Sequence, residues 1–241
     1  MHGECMHGIL EGSSFTTAVH EYFWLLNRGY PEKRSRLLVA DHYGLNRYQR
    51  TALYRGIFPD PVNRRRIGQS LSPEESKGQT LAADLLNTLL LIVNYLYGRN
   101  VFIATDRFLR DDGENFSSFG NRGFFLGALR IIADALQSLG VSRTVLCIDS
   151  SCRTLYPELM RDPRQLLEQM PEINAAVEIV DPVGVDGYLI ETPAVIVATS
   201  DSVVLDRCNK KVFDLAGYAL VRRFSPHLPD LHAIVYGNSK S

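Results

Sequence analysis

The stretch AVIVATSDSVVLD, residues 194–206, decides the fold. Its first five residues form an unbroken apolar run of strand length, as expected for a strand covered on both faces. Thr199, Ser200 and Asp201 end the run, and Ser202–Asn209 then reads as a helix. An apolar strand, a polar break and a helix make the repeating unit of a parallel α/β sheet.

The same rhythm recurs on either side. Thr80–Ala83 runs into Asp84 and a helix from about Asn87 to Tyr97, and Arg143–Ile148 runs into Asp149. Asn100–Ala104, Ala176–Val180 and Lys211–Asp214 read as further strands. Gly123–Leu139 and Leu155–Met170, the latter broken at Pro163, read as helices. The expectation is a three-layer α/β/α domain with a mostly parallel sheet over residues 80–241.

Upstream the pattern differs. Three helices are expected, at Phe15–Asn27, Glu32–Tyr43 and Arg47–Phe58, separated by Gly29-Tyr30-Pro31 and by Gly44-Leu45-Asn46. Glycine accepts the left-handed cap, proline restarts a helix, and Asn46 suits an N-cap. Two helices around a short glycine turn have a helix-turn-helix outline. Residues 13–66 are therefore read as a small helical domain. Residues 67–79 are read as a linker, part of a stretch punctuated by Pro59, Pro61, Gly68, Pro73 and Gly78, with a helical piece near Pro73–Lys77.

Composition sets the outer bounds. The chain has 241 residues, 45% hydrophobic and 22% charged, which is a folded and water-compatible balance. Four cysteines exclude a disulfide scaffold. The longest apolar run, Leu85–Tyr97, falls short of the roughly 20 residues that span a bilayer. Met1–Gly12 lacks the apolar heart of a signal peptide, so a cytoplasmic protein without a membrane partner is expected. The net charge of −1 conceals a split. Residues 12–66 carry ten Lys/Arg against four Asp/Glu, while residues 67–241 carry sixteen against twenty-one.

Chemistry is expected where the strands end, because open parallel sheets bind ligands beyond the carboxyl ends of their strands. Asp84, Asp149 and Asp201 each stand at such an end, with Asp206 one helical turn further. The loop after the second strand adds Asp106, Asp111 and Asp112. A lone Asp there commonly caps the next helix. Asp206 has Arg207 and Arg110 as alternative partners, and Asp112 suits the turn with Gly113. Several clustered carboxylates repel one another and call for a hard, oxygen-loving cation such as Mg²⁺ or Mn²⁺. Such ions activate water and clamp an in-line phosphoryl displacement, so the pattern points to phosphodiester hydrolysis.

The basic half supplies the matching surface. Arg34, Arg36, Arg47, Arg50, Arg55 and Arg64–Arg66 are interleaved with tyrosines, and Arg47, Arg50 and Tyr54 recur at helical spacing. Arginine pairs with phosphates bidentately and aromatic rings stack on unpaired bases, so nucleic acid is the expected partner, RNA ahead of DNA. A solvated basic face is the plainer alternative. Tyr22, Phe23 and Trp24 read as core. His2, Cys5 and His7 are too few and too terminal to read as a metal site. No dinucleotide glycine fingerprint and no serine-hydrolase elbow is present.

Asp84-Leu-Leu-Asn87, the Asp149 strand end and Ala-Thr-Ser-Asp201 together resemble the acidic pattern of PIN-like and NYN-like nucleases. That resemblance implies a small α/β fold cutting RNA with Mg²⁺ or Mn²⁺ held by Asp84, Asp149 and Asp201, with Asn87 as the polar residue one turn into the first helix. Asp111 or Asp106 would complete a second metal or orient the water. The chain resembles more closely an uncharacterised prokaryotic family, domain of unknown function four-three-four. That likeness rests on LLNRGYP (residues 25–31), ALYRG (52–56), Arg110-Asp111 and ATSDS (198–202) followed by Asp206-Arg207, and covers about residues 15–220. Leu85 stands where the related pattern has glycine, and a side chain there narrows the approach or marks a weakened enzyme. The reading is a metal-dependent nuclease, an endoribonuclease in the first instance, which leaves a homodimer open. The alternatives are an inactive nucleic-acid-binding protein of the same fold and a small-molecule phosphohydrolase.

Overall fold

The computed structural model describes residues 10, 12–112, 122–149, 171, 174–180 and 184–237. The chain divides into two compact units. The first draws on residues 1–68, 94–114 and 227–241, the second on residues 69–93 and 115–226.

The first unit is mainly helical. It holds α1 (Ser13–Asn27), α2 (Glu32–His42), α3 (Arg47–Gly56) and α4 (Asp60–Gln69). Each of the three expected helices is present. Asn46 caps α3 as expected: its Oδ1 accepts the Gln49 N–H at 3.0 Å, and Gln49 Oε1 accepts the Asn46 N–H at 3.1 Å. Such reciprocal pairing satisfies two amides that the first helical turn leaves over. Gly44, at φ +58°, makes the turn between α2 and α3, a conformation that costs a side-chain-bearing residue more. Phe15, Val19, Tyr22, Val39, Leu53 and Ile57 are buried together in its core.

Two later stretches of chain complete this unit. The hairpin β2 (Val101–Ile103) and β3 (Leu109–Asp111) pairs antiparallel as a separate two-stranded sheet. The last helix, α11 (Leu231–Tyr236), packs with it. Gly56 explains its place in the ALYRG motif. A Cβ there would lie 2.6 Å from Leu231 Cδ1 and 2.7 Å from Phe102 Cε2, so only glycine lets α3 approach this closely.

An ion cluster fixes α4 to the hairpin. Asp106 Oδ2 accepts from Arg66 Nη1 at 2.7 Å and from Arg110 Nη2 at 3.0 Å, and its Oδ1 accepts the Phe108 N–H at 3.1 Å. Asp106, Arg66 and Arg110 are no more than 3% exposed. The Arg66 guanidinium lies 4.2 Å from the centre of the Phe58 ring.

The second unit carries a five-stranded sheet in the order β5-β4-β1-β6-β7, all neighbours parallel. Its strands are β1 (Thr80–Asp84), β4 (Arg143–Asp149), β5 (Ala175–Val180), β6 (Ile196–Ala198) and β7 (Lys211–Phe213). Its helices are α5 (Pro73–Ser76), α6 (Leu85–Leu96), α7 (Arg122–Leu139), α8 (Val185–Glu191), α9 (Ser202–Arg207) and α10 (Leu215–Phe224). α6 runs on into the residues of the first unit at Asn94. Leu81, Ala82 and Ala83 of β1 are wholly buried, as a strand in the middle of a parallel sheet demands. From β1 the chain proceeds outward to β4 and β5, and later from β6 to β7 on the other side. Connections from the adjacent strands β1 and β6 thus lead in opposite directions, which opens a crevice between their carboxyl ends.

The α/β class, the helical N-terminal region and the mostly parallel sheet agree with the sequence reading. Three details differ. The strand expected at Asn100–Ala104 does not join the parallel sheet, because Leu109–Asp111 within the supposed loop pairs with it as a hairpin. Much of the stretch read as punctuated linker is α4, since Pro61 falls in the first turn, where proline is tolerated. The expected helix at Leu155–Met170 lies outside the described residues.

Asp106→Ala should destabilise the protein by about 3–5 kcal/mol, the usual cost of stranding a buried cation. Urea denaturation measures it, and a change below about 1 kcal/mol would show the cluster to be inessential.

Candidate functional site

Asp84 closes β1, and its Oδ1 accepts the Asn87 N–H at 3.0 Å. The side chain is therefore the cap that starts α6. Asp201, three residues beyond the end of β6, does the same for α9. Its Oδ1 accepts the N–H groups of Val203 at 2.7 Å and Val204 at 3.3 Å, while its own N–H donates to Thr199 Oγ1 at 3.0 Å. Capping and clustering are not alternatives here. The two caps stand at the adjacent ends of β1 and β6, on the crevice the topology opens.

Electrostatics tie the acids together. The Asp84 carboxyl is raised to about 7: burial is the largest cause, the charges of Asp201 and then Asp186 add to it, and the amides of Asn87 and Leu86 pull against it. Asp186, in the first turn of α8, is itself raised, first by burial and then by Asp201, with Arg207 pulling it down. Asn87 adds a side-chain oxygen, Oδ1, that is buried with no hydrogen-bond partner. Leu85 is fully buried, so its side chain belongs to the core rather than to the open edge. Asp149 ends β4, and its side chain lies outside the described part. Asp206 is exposed in the last turn of α9.

Two acids here were missed from sequence. Asp214 follows β7 and caps α10 through the Gly217 N–H at 2.9 Å, and Ser200 Oγ donates to it at 3.4 Å. It obeys the same strand-end rule, and treating Lys211–Asp214 as a strand that includes the aspartate hid it. Asp186 lies on a short helix that the sequence reading did not identify, although Val185, Tyr188 and Leu189 have helical spacing. Among the described residues, no group of three or more His, Cys, Asp or Glu side chains draws close enough to hold an ion.

The remaining acids belong to the first unit. Asp111 pairs with Arg55 at 3.0 Å and accepts from Asn94 Nδ2 at 2.7 Å. Asp112 accepts from Asn100 Nδ2 at 3.2 Å, and burial raises its carboxyl despite that bond. Asp106 is the anion of the buried cluster. The loop carboxylates are thus matched to cations and amides of their own unit.

The arginines divide likewise. Arg50 donates to Leu45 O, Ala40 O and Asp41 Oδ1, closing the α2–α3 turn. Arg66 is buried and Arg55 holds Asp111. Arg34, Arg47, Arg64 and Arg65 are exposed, Arg64 lying 3.3 Å from Asp60. Arg36 lies 4.2 Å over the Tyr54 ring, which is 53% exposed. Of the three aromatics read as core, Tyr22 is buried and Phe23 partly so, but Trp24 is 51% exposed with Arg28 lying 4.3 Å over its ring. No helix among the described residues is long and apolar enough to cross a membrane.

These features define a class: an α/β protein with a helical unit and aspartates that cap helices at a parallel-sheet switch point. The chain belongs to the family described as a domain of unknown function, DUF5616, whose model matches residues 73–218. Residues 14–67 match a second model, described as a protein of unknown function, DUF434. An uncharacterised protein of Methanocaldococcus jannaschii is 23% identical over 208 residues, covering 86% of this chain and 97% of that relative. No solved structure matches the chain.

The Asp84 carboxyl makes stability depend on pH. An unfolded aspartate titrates near 4, whereas the folded one titrates near 7. Between those values the folded chain binds the extra proton, so stability falls as pH rises through the window. Asp84→Asn keeps an oxygen for the cap and removes the charge. It should be more stable than the parent at pH 8, with the difference vanishing near pH 4. Parallel urea-midpoint profiles for the two proteins would contradict the assignment.

Proposed function

We propose that the protein is a metal-dependent nuclease, with RNA as its substrate and a PIN-like acidic edge as its active site. The observation that carries this reading is the coupling of Asp84 to Asp201 and Asp186 across the β1–β6 crevice. An aspartate held at such a cost to its ionised form is out of place unless a cation compensates it. The donors fit a hard ion: carboxylates, together with the unpartnered Asn87 Oδ1. Asp84, Asp149 and Asp201 are the residues that would hold Mg²⁺ or Mn²⁺, with Asn87, Asp186 and Asp206 nearby in the chain's own pattern.

Such an ion, when bound, neutralises phosphoryl oxygens and acidifies water. The chain's own residues do the rest. The Asn87 and Val203 amides fix the two carboxylates in direction, so no side chain has to reorder during reaction. Without an ion the Asp84 carboxyl is raised to about 7, and a bound cation would favour its ionised form. The exposed Arg34, Arg47 and Arg65 of the helical unit supply phosphate contacts. The second reading, a nucleic-acid-binding protein without turnover, is favoured by one observation: no three acids converge among the described residues.

The test is cleavage of a labelled RNA by the full chain with Mn²⁺ or with chelator. Cleavage should require the ion, and Asp84→Asn and Asp201→Asn should each lower the rate by about 100-fold or more. Unchanged rates in both variants would remove the acids from the mechanism. Salt-sensitive binding without turnover in any metal would establish the second reading.

A further inference from the structure

Tryptophan is highly buried on average, so a half-exposed one calls for explanation. Two of the exposed aromatic rings of the helical unit are closely backed by a guanidinium. Trp24 on α1 carries Arg28 at 4.3 Å, and Tyr54 on α3 carries Arg36 at 4.2 Å. Tyr30, two residues past Arg28, is 54% exposed. Beside Trp24 a groove of about 570 Å³ runs between α1 and α2, lined by Leu25, Leu38, Val39, His20 and His42, with Glu21 at its side. It is mostly apolar, of a size that accepts a flat ring, and carries imidazole groups able to bond base edges.

We infer that this unit grips an unpaired nucleic acid strand by stacking bases on the Trp24–Arg28 and Tyr54–Arg36 plates. The inference rests on the proposed function for its ligand class and narrows it to single strands. Three features choose that occupant. Residues 12–66 hold ten Lys/Arg against four Asp/Glu, and with Arg50, Arg55 and Arg66 committed to Asp41, Asp111 and Asp106 the other cations still outnumber the acids, which matches a polyanion and opposes a basic partner. The plates are flat and charged on one side, and every base has a face that suits them, whatever its sequence. Bases inside a duplex bury those faces against each other, so only an unpaired strand offers them. Arg50, which would head a recognition helix, is consumed in closing the α2–α3 turn, and that weakens groove reading of a duplex.

Trp24 is the only tryptophan in the chain, so its emission reports directly on the plate. The full-length protein is titrated in chelator with a twelve-residue oligouridylate, an oligoadenylate and a duplex of equal length. The unpaired strands should quench Trp24 and bind at least about tenfold tighter than the duplex. Tyr54→Ala and Trp24→Ala should each weaken single-strand binding about tenfold, the effect of one lost stack. Trp24→Phe should restore most of it, and unchanged urea midpoints should show that each variant stays folded. Arg34→Ala should weaken strand and duplex alike and flatten the salt dependence. Equal affinity for duplex and strand overturns the inference, as does an unaltered Trp24 emission. Emission that changes with protein concentration alone would seat a second copy on this surface and also overturn it. All binding is read in chelator, so absent turnover leaves the result intact. Absent stacking beside normal cleavage defeats this inference and spares the nuclease.

Discussion

Two carboxylates meet at the carboxyl ends of β1 and β6 because each has to start a helix there. Asp84 holds the first turn of α6 and Asp201 that of α9, and the parallel pairing of their strands brings the two caps onto one crevice. Helix capping favours the ionised carboxylate, whereas burial and the neighbouring charge disfavour it. At Asp84 the second pair of effects wins, so the acid rests near neutrality. The local need of two helices thus places two like charges within electrostatic reach of each other, which neither helix would choose.

That proximity organises what surrounds it. Asp186 joins from α8 and Asp214 from β7, the latter through Ser200. Arg207 tempers one side of the group, and Asn87 contributes an oxygen with no protein partner. The first unit treats its acids in the opposite way: Asp106 has two arginines and a backbone amide, and Asp111 has Arg55 and Asn94. One unit pairs its carboxylates with arginine and amide side chains, while the other sets Asp84 among burial and neighbouring carboxylates that raise it. That contrast distinguishes structural acids from candidate catalytic ones more sharply than their spacing along the chain.

The strands were legible because apolar runs buried on both faces leave a simple trace, as in Val195-Ile196-Val197-Ala198 and Leu81-Ala82-Ala83. Asn46 was legible because its cap is satisfied within three residues. The hairpin was not, since Leu109-Arg110-Asp111 carries a buried arginine and aspartate where a strand is expected to be apolar. Asp106 balances that arginine, while Arg55 and Asn94, remote in sequence, balance that aspartate. Arg50, Arg55 and Arg66 looked like surface charge for the same reason: each is balanced by a partner that local sequence does not reveal. Trp24 failed in the other direction, an apolar ring left outside at a position that composition alone assigns to the interior.

The helical unit is discontinuous along the chain. Its α3 needs Phe102 from the middle of the sequence and Leu231 from near its end, and Asn63 and Asp60 meet Tyr236 only there. A ribosome delivers these pieces far apart in time, with most of the parallel sheet emerging between them. Helices α1 to α3 are therefore made well before they can be sealed, and a newborn chain must keep them from straying until α11 arrives.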